Sequence, residues 1–115
     1  MLRVAYEMAQ ETREKMRDGA GVVTIKHLFR EGDLQGKVRL TAELTLPVGA
    51  SIGFHHHDQE EEIFYVVSGQ GRFNDDGDWQ MIHPGDAMVT GGGKGHSVAN
   101  DGDQPLVLLA VILLY

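Results

Sequence analysis

The sequence predicts an all-β domain, a sandwich or barrel of many short strands, on three observations. From Val22 to the C-terminal end, apolar and polar residues alternate or form short apolar runs. Glycine and proline punctuate those runs, with 15 glycines among 115 residues. Only one stretch, close to the N-terminus, carries helical spacing.

Taken in order, Val4, Met8 and, less regularly, Met16 stand among Glu, Gln, Lys and Arg, which predicts a short amphipathic helix over residues 4–17. Asp18-Gly19-Ala20-Gly21 ends it, since glycine supplies the left-handed backbone that helix ends favour. Residues 1–20 thus read as a helical arm and residues 21–115 as one barrel domain, with no internal repeat or low-complexity linker between them. Val22–Ile25 and Leu28-Phe29 suggest a strand and Glu31–Gly36 a turn. The clearest strand follows, where Val38, Leu40, Ala42, Leu44 and Leu46 alternate with Arg39, Thr41, Glu43 and Thr45 before Pro47-Val48-Gly49 closes it. Short strands are expected over 51–57, 62–68, 71–74, 79–82, 86–90, 96–100 and 106–114. Asn74-Asp75-Asp76-Gly77 reads as a tight hairpin turn and not a calcium loop, because the twelve-residue pattern with its closing glutamate is missing. Leu106–Leu114 is apolar on both faces, so the barrel interior covers one and the arm or a second subunit covers the other. The expectation is a homodimer.

Composition removes several function classes. There is no cysteine, which excludes a disulfide scaffold, a zinc ribbon and a thiol nucleophile, so any metal has N and O ligands. A formal charge of −7 with scattered cations gives nucleic acid nothing to bind. The N-terminal MLRVAYEMAQETREK carries acidic residues and no apolar core of signal-peptide length, and no apolar run reaches membrane-spanning length, so the expected setting is the cytoplasm, without membrane contact.

Histidine is the informative residue. Of six, three stand together as His55, His56 and His57, followed by Asp58, Glu60, Glu61 and Glu62. On a strand alternate side chains share a face, so His55 and His57 point one way and His56 the other. Glu62 opens the next strand, and the loop from Asp58 to Glu61 returns its carboxylate beside the imidazoles. Two imidazoles and a carboxylate form half of an octahedral site for Fe(II), Mn(II), Co(II), Ni(II) or Zn(II). His27, His56 and His83 read as surface or hydrogen-bonded residues. Glu60 and Glu61 are candidate general bases, more readily read as solvated loop carboxylates. The run Gly91-Gly92-Gly93-Lys94-Gly95 lacks phosphate-loop spacing and reads as a turn, with Lys94 available to attract an anion at the barrel mouth.

The segment Gly49-Ala50-Ser51-Ile52-Gly53-Phe54-His55-His56-His57, followed after four intervening residues by Glu62 and after six more by Gly69, resembles the first cupin motif, whose histidines and glutamate ligate metal. Gly85, Gly93, His96 and Asn100 are similar to the second motif, and His96 would be the fourth ligand. Gly91 departs from the family's usual proline, which implies a more mobile loop. The resemblance implies a double-stranded β-helix, or jelly-roll barrel, holding one divalent ion on His55, His57, Glu62 and His96. In length and organisation the chain resembles small single-domain bacterial cupins of the oxalate-decarboxylase-like and sugar-phosphate-isomerase-like kinds.

Three imidazoles and one carboxylate leave roughly two open positions and a net charge of about +1 on the M(II) site, which suits a small anionic carboxylate, enol or 2-oxo acid. The expected function is a metal-dependent enzyme of decarboxylase or dioxygenase type. A metabolite-sensing cupin without catalysis, or a sugar phosphate isomerase or epimerase, is the alternative; a sensor usually carries an output domain, and none is read within these 115 residues, so the enzyme is the expectation.

Overall fold

A computed structural model describes all 115 residues and contains ten strands: β1 Gln10–Glu14, β2 Val22–His27, β3 Val38–Leu46, β4 Ser51–His56, β5 Glu60–Ser68, β6 Gly71–Asp75, β7 Asp78–Ile82, β8 Ala87–Gly91, β9 Gly95–Ala99 and β10 Leu106–Leu114. They form two antiparallel sheets, a six-stranded one in the order β1-β2-β3-β10-β5-β8 and a four-stranded one in the order β4-β9-β6-β7. The inner faces meet over one core that includes Leu44, Leu46, Ile52, Phe64, Val66, Val98, Leu106 and Leu108. The all-β jelly-roll expectation holds, and no helix is long and apolar enough to cross a membrane.

The doubly apolar strand β10 is explained by its place. It pairs with β3 on one side and β5 on the other, and Leu106, Leu108, Ala110 and Ile112 alternate into the core. Its other residues lie on the outer face of the larger sheet, beside exposed Ile63, Tyr65, Val67 and Val89. At the opposite end, Asp76 and Gly77 form the two-residue link between β6 and β7 with positive φ of 50° and 106°, as a type I′ hairpin requires. Asn74 Oδ1 accepts from Gly77 N at 2.7 Å, which accounts for this acidic cluster as a turn.

The N-terminal segment corrects the helical expectation. Only Ala5–Glu7 makes a single 3₁₀ turn, Met16–Asp18 is an irregular turn with Arg17 and Asp18 in the left-handed region, and Gln10–Glu14 pair with β2 as strand β1. The large apolar side chains Val4, Met8 and Met16 are too few and too widely spread over residues 4–17 to bury a helical face, whereas the open edge of β2 offers residues 10–14 backbone hydrogen-bond partners. Gly19 has an extended backbone with φ −77°, and Asp18 takes the left-handed conformation in its place. What Gly19 provides is room, since a Cβ there would stand 2.2 Å from the Ser51 carbonyl oxygen.

Candidate metal centre and the cavity above it

His55 on β4 lies directly opposite His96 on β9, because the two strands pair in antiparallel register. His57 follows the end of β4, and Glu62 is an inward-facing residue of β5 in the other sheet. The two sheets therefore each contribute donors to one point. His57, Glu62 and His96 are buried and His55 half-buried, and one donor atom from each lies within 4.8 Å of all the others. His56 is turned outward, as strand alternation predicts, and its Nδ1 donates to Gly93 O at 3.0 Å.

The separations carry chemical information. His57 Nε2 lies 3.0 Å from His96 Nε2, and each lies 3.1 Å from Glu62 Oε1. His55 Nε2 lies 3.1 Å from His96 Nε2. Donors bound at about 2.0–2.2 Å sit about 2.8–3.1 Å apart in neighbouring octahedral positions, against about 3.3–3.6 Å in a tetrahedron. The cluster fits octahedral spacing and can hold a divalent ion. The mutually close triad is His57, His96 and Glu62, so the facial set differs from the one read off the two strands; His55 joins it through His96.

Each ring is fixed from behind. His55 Nδ1 donates to Gly53 O at 2.7 Å, and His57 Nδ1 donates to Glu60 Oε2 at 2.7 Å. A carbonyl and a carboxylate only accept, so each Nδ1 carries the proton and each Nε2 offers its lone pair to the common point. His96 is held differently: Phe64 stacks on it at 5.0 Å and Phe73 meets it edge-on at 5.7 Å. Its buried Nδ1 has no hydrogen-bond partner.

Charges follow this packing. Burial lowers the His55 imidazole to about 4. A hydrogen bond to Glu62 raises His57, against the opposing effect of burial. Burial alone would raise the Glu62 carboxyl, but its bonds with His57 and His96 hold it below the usual value. Glu60 is lowered first by Arg39, whose Nη2 donates to Oε2 at 2.8 Å and Nε to Oε1 at 3.1 Å. Glu60 is thus no free base: it joins Arg39 to His57. Glu61 lies on the outward-facing register of β5.

Above the donors a cavity of about 90 Å³ is walled by Leu40, Leu44, Ile52, Phe64 and Ile112. Its mouth carries Arg13, Arg17, Arg39 and His27. Sequence reasoning missed all three arginines, having looked to Lys94, which does not line the cavity. The missed signal is modest: an arginine opens the strongest alternating strand, at Arg39, and two others stand in the arm. Arg13 donates to Glu11 Oε1 at 2.9 Å, while His27 Nε2 meets Glu11 Oε2 at 2.7 Å.

The glycine run serves the site without binding it. Lys94 O accepts from His57 N at 3.0 Å, and Gly93 N donates to His57 O at 2.8 Å, which anchors the residue after β4. Gly91 ends β8, where a Cβ would stand 2.6 Å from that of Glu61, so close strand packing explains its lack of a side chain. Buried Asn100 donates to Leu46 O at 2.9 Å and Gln104 O at 2.8 Å and has a structural role.

Comparison with known proteins agrees with this geometry. An "oxalate-binding protein" of Thermotoga maritima is 41% identical over 108 residues, covering 94% of this chain and 89% of its own length. A crystal structure from Thermotoga maritima, described as a "predicted oxalate decarboxylase", superposes with a TM-score of 0.95 at 39% identity, covering both chains fully. An uncharacterised helix-turn-helix transcriptional regulator of Escherichia coli matches over 53 residues at 40% identity, 46% of this chain and 18% of that one. Residues 42–112, which hold all four donors, match the cupin domain, and the chain belongs to the cupin family.

Proposed function

We propose that this chain binds one divalent metal ion on His55, His57, Glu62 and His96 and, on that ion, a small chelating carboxylate of the oxalate class. The observation that carries this reading is the arrangement itself: four inward donors at octahedral spacing floor a small cavity with cationic side chains at its mouth. When bound, the ion supplies positive charge and open positions for carboxylate oxygens. The protein's part is to aim three Nε2 lone pairs, exclude water with an apolar wall, and present cations where the ligand's remaining charge lies. The relative named for oxalate binding supports the same ligand class.

Binding is favoured over turnover, although the sequence alone leans towards an enzyme. Decarboxylation leaves a carbon that must be protonated, and every acid–base group around the cavity is engaged. Glu62 faces the donor cluster, Glu60 is held by Arg39 and His57, and His27 is paired with Glu11. The test is metal analysis of untagged protein followed by calorimetric titration with oxalate, with and without the ion. The expected result is about one ion per chain and oxalate binding that requires it. Oxalate binding that is absent or indifferent to metal overturns the reading, and CO2 release at a steady rate replaces binding with catalysis.

The same reading includes a homodimer through the outer face of the six-stranded sheet. The arm lies against β2 and β4 and leaves exposed Ile63, Tyr65, Val67 and Val89 of that face uncovered. A second copy of the face is self-complementary about a two-fold axis. Light scattering is expected to give twice the 12.7 kDa of one chain, and Tyr65→Glu to return it to a monomer. A single-chain mass in the unaltered protein refutes the dimer.

A further inference from the structure

We propose that Arg17 makes this cavity selective for dianionic chelators, by meeting the end of a metal-bound ligand that points away from the ion. This rests on the metal-and-carboxylate reading above and adds the charge state that the site accepts.

Charge counting leads to it. A divalent ion with Glu62 leaves +1. At the mouth, Arg39 is bonded through two nitrogens to Glu60, and Arg13 is bonded to Glu11. Arg17 makes no ion pair and no side-chain hydrogen bond, yet lines the same cavity as His55 and Glu62. It raises the uncompensated charge to +2. A dianion neutralises that sum, whereas a monoanion satisfies the ion alone and leaves Arg17, exposed at the rim, to solvent, so only the dianion gains the added attraction. The chain as a whole carries −7, so a free cation at this spot runs against the background.

The backbone is built to hold Arg17 there. A Cβ on Gly53 would lie 1.9 Å from the Arg17 carbonyl oxygen, so the arm can rest on β4 only because residue 53 is glycine. Ser51 N donates to Ala20 O at 2.8 Å, and Ala20 N donates to Ser51 Oγ at 2.9 Å. Lys15, Arg17 and Asp18 have φ of 50°, 54° and 64°. Left-handed conformations at non-glycine residues cost energy and persist where the surroundings enforce them. Here they turn the arm across the cavity mouth, two residues along β4 from the ligand His55.

The test compares oxalate with glycolate, which chelates through two oxygens but carries one charge fewer. Both are titrated calorimetrically into the Mn(II)-loaded full chain, its Arg17→Gln variant and its Arg17→Lys variant, after metal content and thermal midpoint have been measured for each. Arg17→Gln is expected to keep its ion and its midpoint, to lose about tenfold or more in oxalate affinity, and to shift glycolate less than about threefold. Arg17→Lys is expected to recover most of the loss. An oxalate-to-glycolate ratio unchanged by Arg17→Gln in metal-loaded protein overturns the role of Arg17 and leaves the metal reading standing. If the unaltered chain holds no ion, both fall together.

Discussion

At the floor of the cavity the donors belong to barrel strands and are held from behind, His55 by Gly53 O, His57 by Glu60 and His96 between Phe64 and Phe73. At the mouth, Arg13 and Arg17 come from a segment whose side chains contribute little to the core, kept in place by backbone contacts that two glycines permit. The difference separates two tasks. Holding an ion demands fixed lone pairs, which rigid strands supply. Accepting and releasing an anion demands a boundary that can be altered without disturbing the floor.

The sharpest way to break this division is at the floor. His96→Ala is expected to weaken Mn(II) or Zn(II) binding by more than about 100-fold, since it removes the residue shared by three of the four close donor pairs. Anion binding goes with it. Isothermal titration with the ion measures the loss, and a variant that holds metal normally removes His96 from the site. Next in size is Glu60→Ala, which leaves all four donors but frees the His57 ring and strands Arg39. Outer partners of this kind commonly contribute about 10–100-fold in metal affinity, and that range is expected here. Unchanged affinity shows that Glu60 serves only Arg39.

The mouth is broken by Gly53→Ala, which forces Arg17 and β4 apart. A loss of roughly 1–3 kcal/mol in denaturant unfolding is expected from such a clash, with faster proteolysis within residues 10–18. Metal affinity is expected to stay within about threefold, because His55 Nδ1 still reaches the residue 53 carbonyl. If metal and arm fail together, floor and mouth are one unit.

The smallest effect is with pH in the metal-free chain. His55 is lowered from 6.5 to about 4, so the unfolded chain binds more protons in that interval and stability falls as pH drops through it. His57 is raised above 6.5, so its contribution is complete below that pH and is lost as pH rises through the folded value. Together they place the maximum near pH 6.5. Thermal midpoints against pH check this, and His55→Gln is expected to flatten the limb between pH 6.5 and 4.5, above the interval where Glu62 titrates. An acid limb that persists in this variant assigns the loss to other groups.

Much of the floor was legible in the sequence because His55 and His57 keep the two-residue alternation of a strand, although a bulge between Ile52 and His55 breaks it just before them; only the register with β9 and β5 remained to be found. The two-residue hairpin at Asp76-Gly77 and the central strand β10 were legible for the same reason, as local pattern determines both. The mouth was not. Arg39 alternates outward from the core residues of β3, and Arg13 and Arg17 stand in a stretch whose spacing mimics a weak helix. What makes β1 a strand is the unpaired edge of β2, a tertiary fact that residues 10–14 do not carry. Glu60 was misread as a solvated carboxylate since its two partners approach from β3 and from the end of β4.

Three of the four donors fall within residues 55–62, and only His96 arrives from far along the chain. An unfolded chain therefore retains a short imidazole–imidazole–carboxylate peptide able to hold the ion loosely, and it loses mainly the contribution of β9. Metal stabilises folding only by the difference between its affinities for the two states. The rise in thermal midpoint on loading will thus understate the native affinity, and refolding in the presence of the ion will begin from a chain that already carries it.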